Sequence, residues 1–429
     1  MSDENNKNIA NSVKKKINFL CKVIIILLII IFLFFILQVC FSKYYQKILF
    51  KKDNISEKYI AEWSVVNDVM TKPRSSATAN LLPDGNVLIM GGSNMSSDTA
   101  DIFDPVKQKI IKTIGLNDSR AFGYTTTQLS NGDIFVVGGT LVKYKDNKLY
   151  SEITNTTKIF DSKNYLFFET KPTKYISGEN LSFLLRNGHV LILNNALNVN
   201  EEEYKKRENM KFQIYNPVKN EYYDTQNGIH RMFIRSQYMI LQNGDILFKC
   251  NGIFRYAKNK KAGASSCLYD FKENKFEISD DFPTEQLFVQ LDSENYLAIS
   301  PKLEYAEGYI YNIKTKEKIF AKNKINRTWR PGIHPQMVVL EDGNVLILGI
   351  PLKNSSDKYE TSGKNRKTSK YSAYIYSRSE NKFYEVQPPP LPVYRAGIVR
   401  LKNDEILLAG GTVNYKTISN KIQIFRYKK

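Results

Sequence analysis

Seven times along the chain an apolar run leads into a polar turn and out into a second apolar run. This recurrence limits the fold more than any other feature. The pattern stands at Leu82 (LPDGNVL), Leu129 (LSNGDIF), Leu185 (LRNGHVL), Leu241 (LQNGDIL) and Leu340 (LEDGNVL), with glycine-free copies at Leu291 (LDSENYL) and Leu401 (LKNDEIL). Successive anchor leucines lie 47, 56, 56, 50, 49 and 61 residues apart. Asp-Gly or Asn-Gly between apolar runs is a strong hairpin signal, because the favoured two-residue turn needs φ > 0 at both central residues. Each copy therefore predicts two antiparallel strands, a and b.

A second half repeats as faithfully: IFDP at Ile102, IFDS at Ile159, IYNP at Ile214, LYDF at Leu268, IYNI at Ile310, IYSR at Ile375 and IFRY at Ile424. A polar turn such as DPVKQK or NPVKNE follows in six of them, then another short β-type run. These supply strands c and d. A four-stranded antiparallel unit recurring about every fifty residues predicts an all-β, seven-bladed propeller over residues 62–429. The seventh unit runs out of sequence after strand c, at Lys429. EWSVV (Glu62–Val66) resembles a strand d and is expected to complete that last blade. Closure would remove the sheet edges that an open array exposes.

The string LPDGNVLIMGG followed by ADIFDP resembles the kelch-repeat propellers, and most of all the kelch wheel of bacterial proteins related to galactose oxidase. The family's double glycine survives at Gly91-Gly92, Gly138-Gly139 and Gly410-Gly411, and has decayed in the other units. The resemblance implies the fold strongly and function hardly at all. Copper-radical oxidases on this wheel use a tyrosine crosslinked to cysteine, a Tyr-His pair and a further histidine. This chain has three histidines (His189, His230 and His334) and no Tyr-His pair among 27 tyrosines, so no metal and no cofactor are expected. Hydrolase signatures such as G-x-S-x-G and H-E-x-x-H are absent. Asp84, Asp133 and Asp342 read as hairpin formers, and Asp104, Asp161 and Asp270 as the starts of c–d turns.

Outside the repeats, Val23–Leu37 is fifteen apolar residues long, and with Gln38 as the sole interruption it extends to Phe41. Such a run suits a membrane-spanning helix. Lys14–Lys16 before it resemble a secretory signal, but LQVCFSKYY offers no small-residue cleavage site. The expected order is a basic tail (1–22), a transmembrane signal anchor (23–41), a linker (42–61) and the propeller, placed on the extracytoplasmic side as a single-pass membrane protein. The chain carries 62 Lys and Arg against 43 Asp and Glu, a formal charge of +19. That excess favours anionic partners, an acidic glycan or acidic protein surface; extracytoplasmic placement argues against nucleic acid. Cys250 and Cys267 fall on neighbouring strands, where a disulfide and two buried thiols are both reasonable readings.

Arg74, Arg120, Arg231, Arg330 and Arg395 all stand six to ten residues before an anchor leucine, on the approach to a strand a. In a propeller the d–a connections and b–c loops share one face around the central channel. Guanidinium groups converging there would suit a carboxylate or sulfate. The alternative role is packing within each unit. Two b–c loops are long: NVNEEEYKKRENMK in the third unit and PLKNSSDKYETSGKNRKTSKYS in the sixth, rich in lysine and suited to recognition. The resulting expectation is a binding or scaffolding module for an anionic glycan or acidic protein. The alternatives are a sugar-acid isomerase or epimerase, of the kind found on related kelch wheels, or a structural envelope protein.

Overall fold

The computed structural model describes residues 58–92, 98–145, 148–195, 211–229, 232–251, 264–279, 287–302, 305–325, 335–351, 371–391, 393–412 and 418–428. These residues form seven antiparallel sheets, the blades of a propeller, and contain no helix. The first blade is ordered Thr78–Leu81, Val87–Met90, Thr99–Asp104 and Lys109–Gly115, innermost strand first. The following five blades repeat that a–b–c–d order, with a strands at Thr125–Gln128, Glu179–Leu184, Met232–Ile240, Leu287–Gln290 and Gln336–Val339. The expected tail and anchor (1–41), and all but the end of the linker, lie outside the described residues. No helix among the described residues is long and apolar enough to cross a membrane.

The seventh blade closes the ring. Gly397–Arg400, Ile406–Ala409 and Lys421–Lys428 supply its a, b and c strands, and Ile60–Val69 pairs antiparallel with the last of these. In that register Trp63 faces Phe425 and Ser64 faces Ile424.

Adjacent blades are held together by apolar clusters, one at every seam. Leu88, Ile102, Tyr124 and Val136 join the first blade to the second. Equivalent clusters follow at the next five seams. Val66, Met70, Val87, Phe103, Leu407 and Ile424 then join the seventh blade back to the first. Because each blade is covered on both faces, its b strand is buried throughout, as at Val87–Met90 and Ile406–Ala409. The outer strand Lys109–Gly115 is mostly exposed. Polar side chains stitch several inner strands together: Thr126 Oγ1 donates to Asn80 Oδ1 (2.9 Å), and Gln290 Nε2 donates to the Ile240 carbonyl (2.7 Å).

Two local expectations change. The a–b turns are not two-residue turns with both central residues at positive φ. Gly85 N–H donates to Leu82 O (2.9 Å) and Leu82 N–H to Asn86 O (2.8 Å), with the glycine alone at φ 92°. This is a type I turn followed by a left-handed bulge residue, and Pro83 suits its first central position. In the seventh blade Asp404 takes the glycine's place at φ 61°. The second blade also departs from the four-stranded plan. Its b and c strands lengthen to Ile134–Lys145 and Lys148–Asp161, and a short extra strand, Arg120–Phe122, pairs beside the hairpin.

Candidate functional site

Strands a begin and strands b end on one face of the wheel, and three of the candidate arginines, Arg74, Arg120 and Arg395, enter there. Arg74 approaches the first strand a and turns its side chain inward. Its Nη1 donates to Gly91 O (3.0 Å) and Thr99 O (2.8 Å), and its Nη2 to Thr99 Oγ1 (2.9 Å) and Asp101 Oδ2 (3.0 Å). Both side chains of the Arg74–Asp101 pair are 0% exposed. Asp101 also accepts from Thr113 Oγ1 (2.9 Å) and from the Thr71 hydroxyl. A buried charge pair persists when each partner's remaining hydrogen-bonding capacity is used, as it is for this carboxylate.

Arg120 repeats the arrangement one blade on. Its Nη1 donates to Gly138 O (2.7 Å), its Nη2 to Thr156 Oγ1 (2.7 Å), and the guanidinium pairs with Asp118 (3.1 Å). Lys158, also buried, reaches the same carboxylate at 3.0 Å. In both blades the arginine binds the carbonyl of the first glycine of the pair and a threonine of strand c, Thr99 or Thr156. The glycines are needed because neighbours come so close. A Cβ on Gly91 would fall 2.4 Å from the Tyr124 hydroxyl, and one on Gly410 would fall 2.2 Å from the Arg74 carbonyl oxygen. The geometry thus gives Arg74 and Arg120 a packing role and leaves their guanidinium groups sealed from solvent.

Arg395 is different. It is exposed, its φ is +58°, and its guanidinium lies 5.3 Å from the centre of the Tyr394 ring. Its carbonyl accepts from Ser76 N–H (2.7 Å), which ties the seventh blade to the first. Arg231 and Arg330 lie outside the described residues, as do His230, His334 and nearly all of both long b–c loops. The structure therefore brings Arg74 and Arg395 to the same seam, sealing one and displaying the other.

The remaining acidic candidates are turn formers. Burial pushes the Asp84 carboxyl up, but hydrogen bonds from Tyr165 and Asn86 outweigh it and leave the pKa lowered. Asp161 is held below the ordinary carboxylate range by the Asn164 backbone N–H and side chain. Asp133 accepts from Ser162 N–H (2.9 Å). His189 sits in an a–b turn at the opposite end of the wheel, with Nδ1 2.8 Å from the Tyr223 hydroxyl. Cys250 and Cys267, on adjacent strands of the fourth blade, are joined as a disulfide with Cα atoms 6.2 Å apart.

Sequence reasoning missed Tyr124 and Lys158, and also Gln336 and Thr412, whose Nε2 and backbone N–H donate to the carbonyls of Ala396 (3.1 Å) and Tyr394 (2.9 Å) on either side of Arg395. It also missed a spacing signal. Arg74 and Arg120 stand eight and nine residues before their anchor leucines, whereas Arg395 stands only six before Leu401.

No family model matches the chain, and no curated protein sequence does either. The fold is nonetheless widespread, with 463 matching chains of solved structure, so likeness of fold alone does not select a function. One is a fungal alcohol oxidase of the AA5 family in complex with copper. It has a TM-score of 0.58 and 13% identity, over 85% of this chain and 76% of that one. The described residues do not fit such a copper centre. Cys250 and Cys267 are bonded to each other, His189 is at the far end, and among the described residues no group of three His, Cys, Asp or Glu side chains is placed to hold a metal. What the comparison supports is the architecture: this chain folds as a seven-bladed β-propeller similar to those of the galactose oxidase-like proteins.

Proposed function

We propose that the chain is a membrane-anchored, extracytoplasmic propeller of kelch type that binds an anionic glycan or an acidic protein surface. The observation that carries this reading is Arg395, a cation displayed at the face shared by the d–a connections and held there by a backbone conformation that L-residues seldom adopt. The formal charge of +19 supports an anionic partner. The Cys250–Cys267 disulfide supports an oxidising compartment, and the apolar run Val23–Leu37 supports an anchor.

The test uses the full chain in detergent, with immobilised polygalacturonate, neutral dextran and duplex DNA. Polygalacturonate should bind in a salt-sensitive manner, and Arg395→Asn should weaken it by about tenfold, the loss of one charge-assisted contact. Equal binding to dextran, or equal binding to DNA, would reverse the proposal. Tyr394, stacked on Arg395, favours one second reading: a sugar-acid isomerase or epimerase in which the tyrosine moves a proton. Solvent deuterium incorporated into a sugar acid would support it.

A further inference from the structure

We infer that the long hairpin of the second blade is a docking edge, and that its partner is the same hairpin of a second copy of this chain. In the first blade strand b stops at Met90, before its double glycine. In the second it runs on through Gly138-Gly139 to Lys145, and Lys148–Asp161 returns beside it. One side of this ribbon is covered. Arg120–Phe122 pairs with it there, and Val142 N–H donates to Ser119 O (2.9 Å). The other side is open. Strand d of the blade, Leu166–Thr170, covers only Thr157–Asp161, and no strand among the described residues pairs with Lys148–Thr154 on its outer side.

The direction of the open groups follows from those bonds. Val142 lies opposite Ser151 in the register, yet its N–H points the other way, to Ser119. In an antiparallel ladder that makes Val142 and Ser151 a non-hydrogen-bonded pair, so Ser151 turns its own N–H and C=O to the open side. Direction alternates along a strand, so Leu149 and Ile153 do the same. Asn155 continues the series, its carbonyl accepting from Thr173 N–H (2.9 Å). Tyr150, Ser151, Glu152 and Ile153 are all exposed, so this stretch lacks cover on both faces as well as at its edge. A two-stranded ribbon is marginal alone, and an open edge is a template for a further strand.

Charge and register select the second copy as that strand. The chain carries +19, yet the lone charge within Tyr150–Ile153, Glu152, is paired with Lys143. Two basic molecules meet there without repulsion, and an acidic strand gains nothing. The outer strand Lys109–Gly115 is different, because self-pairing would bring its exposed Lys109 and Lys112 against like charges. A two-fold axis at Ser151 bonds that residue to its own copy and Ile153 to Leu149, all through outward groups. It also sets Tyr150 opposite Glu152, a phenol beside a carboxylate. An axis at Glu152 would oppose two carboxylates. An axis at Tyr150 would leave Ile153 beyond the partner strand, which begins at Lys148. The Ser151 ladder extends the cross-strand row Phe122–Thr140–Ile153, whose two apolar ends are 46% and 42% exposed, and covers Ile153.

The experiment uses the full chain in detergent, with Cys21→Ser and Cys40→Ser so that an introduced thiol is the only free one beside the Cys250–Cys267 disulfide. Under mild oxidation Ser151→Cys should form a disulfide-linked dimer, because a residue opposite its own copy brings the two Cβ atoms to roughly 5 Å. Ile111→Cys, on the exposed outer strand of the first blade, should link at least about tenfold more slowly. Sedimentation of the wild type should show a dimer whose fraction rises with concentration. Ser151→Pro removes an outward N–H, which an edge strand tolerates, and should weaken that dimer by at least about tenfold. Ser151→Lys keeps the N–H and sets like charges opposite each other; it should separate the copies even if the proline variant loses the ribbon. Equal linking of Ser151→Cys and Ile111→Cys would overturn the inference, as would a monomer at every concentration. So would a dimer unchanged in both Ser151→Pro and Ser151→Lys, which would place the contact elsewhere on the chain. None of these outcomes bears on polygalacturonate, so the proposed function is decided separately.

Discussion

Arg74 and Arg395 meet at a single seam, and they have opposite fates. Arg74 is enclosed by Gly91 O, Thr99 and Asp101, so its charge is spent inside the first blade. Arg395 bonds through its backbone to the first blade and leaves its guanidinium outside, over Tyr394. The difference lies in the approach to strand a. An arginine eight or nine residues before the anchor leucine has the reach to fold back under the double glycine. At six residues the arginine occupies the tight connection itself and its side chain is exposed. One residue type at one place in a repeat therefore serves as a strut or as a displayed charge, according to two or three residues of spacing.

The largest way to break the comparison is to remove the seam at which it is made. Deleting residues 1–70 takes away the outer strand of the seventh blade with Val66 and Met70, which are buried between the seventh and first blades. Each such side chain contributes about 1.5–3 kcal/mol. Their loss, with the exposure of Lys421–Lys428 as a free edge, approaches the whole stability of an ordinary domain, about 5–15 kcal/mol. Thermal melting should show the 1–70 deletion unfolded or severely destabilised, while a 1–54 deletion melts with the intact propeller. Identical melting of the two would mean that Ile60–Val69 does not close the ring.

Next in size is the comparison itself. Arg74→Gln strands the Asp101 carboxylate in a site without solvent, which should destabilise by about 3–5 kcal/mol. Arg395→Asn removes an exposed side chain, and asparagine tolerates positive φ, so its effect should stay within about 0.5 kcal/mol. Denaturant unfolding of both variants checks this. Adding Asp101→Asn to Arg74→Gln should recover part of the loss, because the unpaired charge is then gone. A mild Arg74→Gln would show that the buried pair is not what holds this seam.

Much of the wheel is legible in sequence because its causes are local. The turn strings around each anchor leucine and the aromatic–polar endings of each strand c report hairpins whatever surrounds them. The site is less legible because its causes are not local. Whether Arg74 is a ligand group or a strut depends on Asp101, 27 residues away on another strand. The Gln336 amide becomes a tie to the seventh blade only when Ala396, sixty residues on, arrives beside it. Even the turn type is not decided by the string, since Asp-Gly suits both a two-residue turn and a type I turn with a bulge. The hydrogen bond from Leu82 N–H to Asn86 O separates them.

The smallest effect sharpens the contrast between sealed and displayed charges with an ion pair at the surface. Lys58, just before the closing strand, pairs with Glu380 on the sixth blade, and Tyr384 donates to the same carboxylate at 2.7 Å. The hydrogen bond from Lys58, followed by that from Tyr384, holds the Glu380 carboxyl down at about 2, against an ordinary value of 4.5. Because the folded pKa lies below the unfolded one, the pair stabilises fully above 4.5. That contribution fades as pH falls from there toward 2. Solvent reaches both side chains, so the effect should be small and should shrink further in about 1 M salt. The measurement is the difference in melting temperature between the wild type and Glu380→Gln, followed from about pH 7 to about pH 2. It should be constant at high pH and close toward zero through the acid range. A gap that persists to the lowest pH would mean that Glu380 acts through packing, and that charge at this surface holds nothing down.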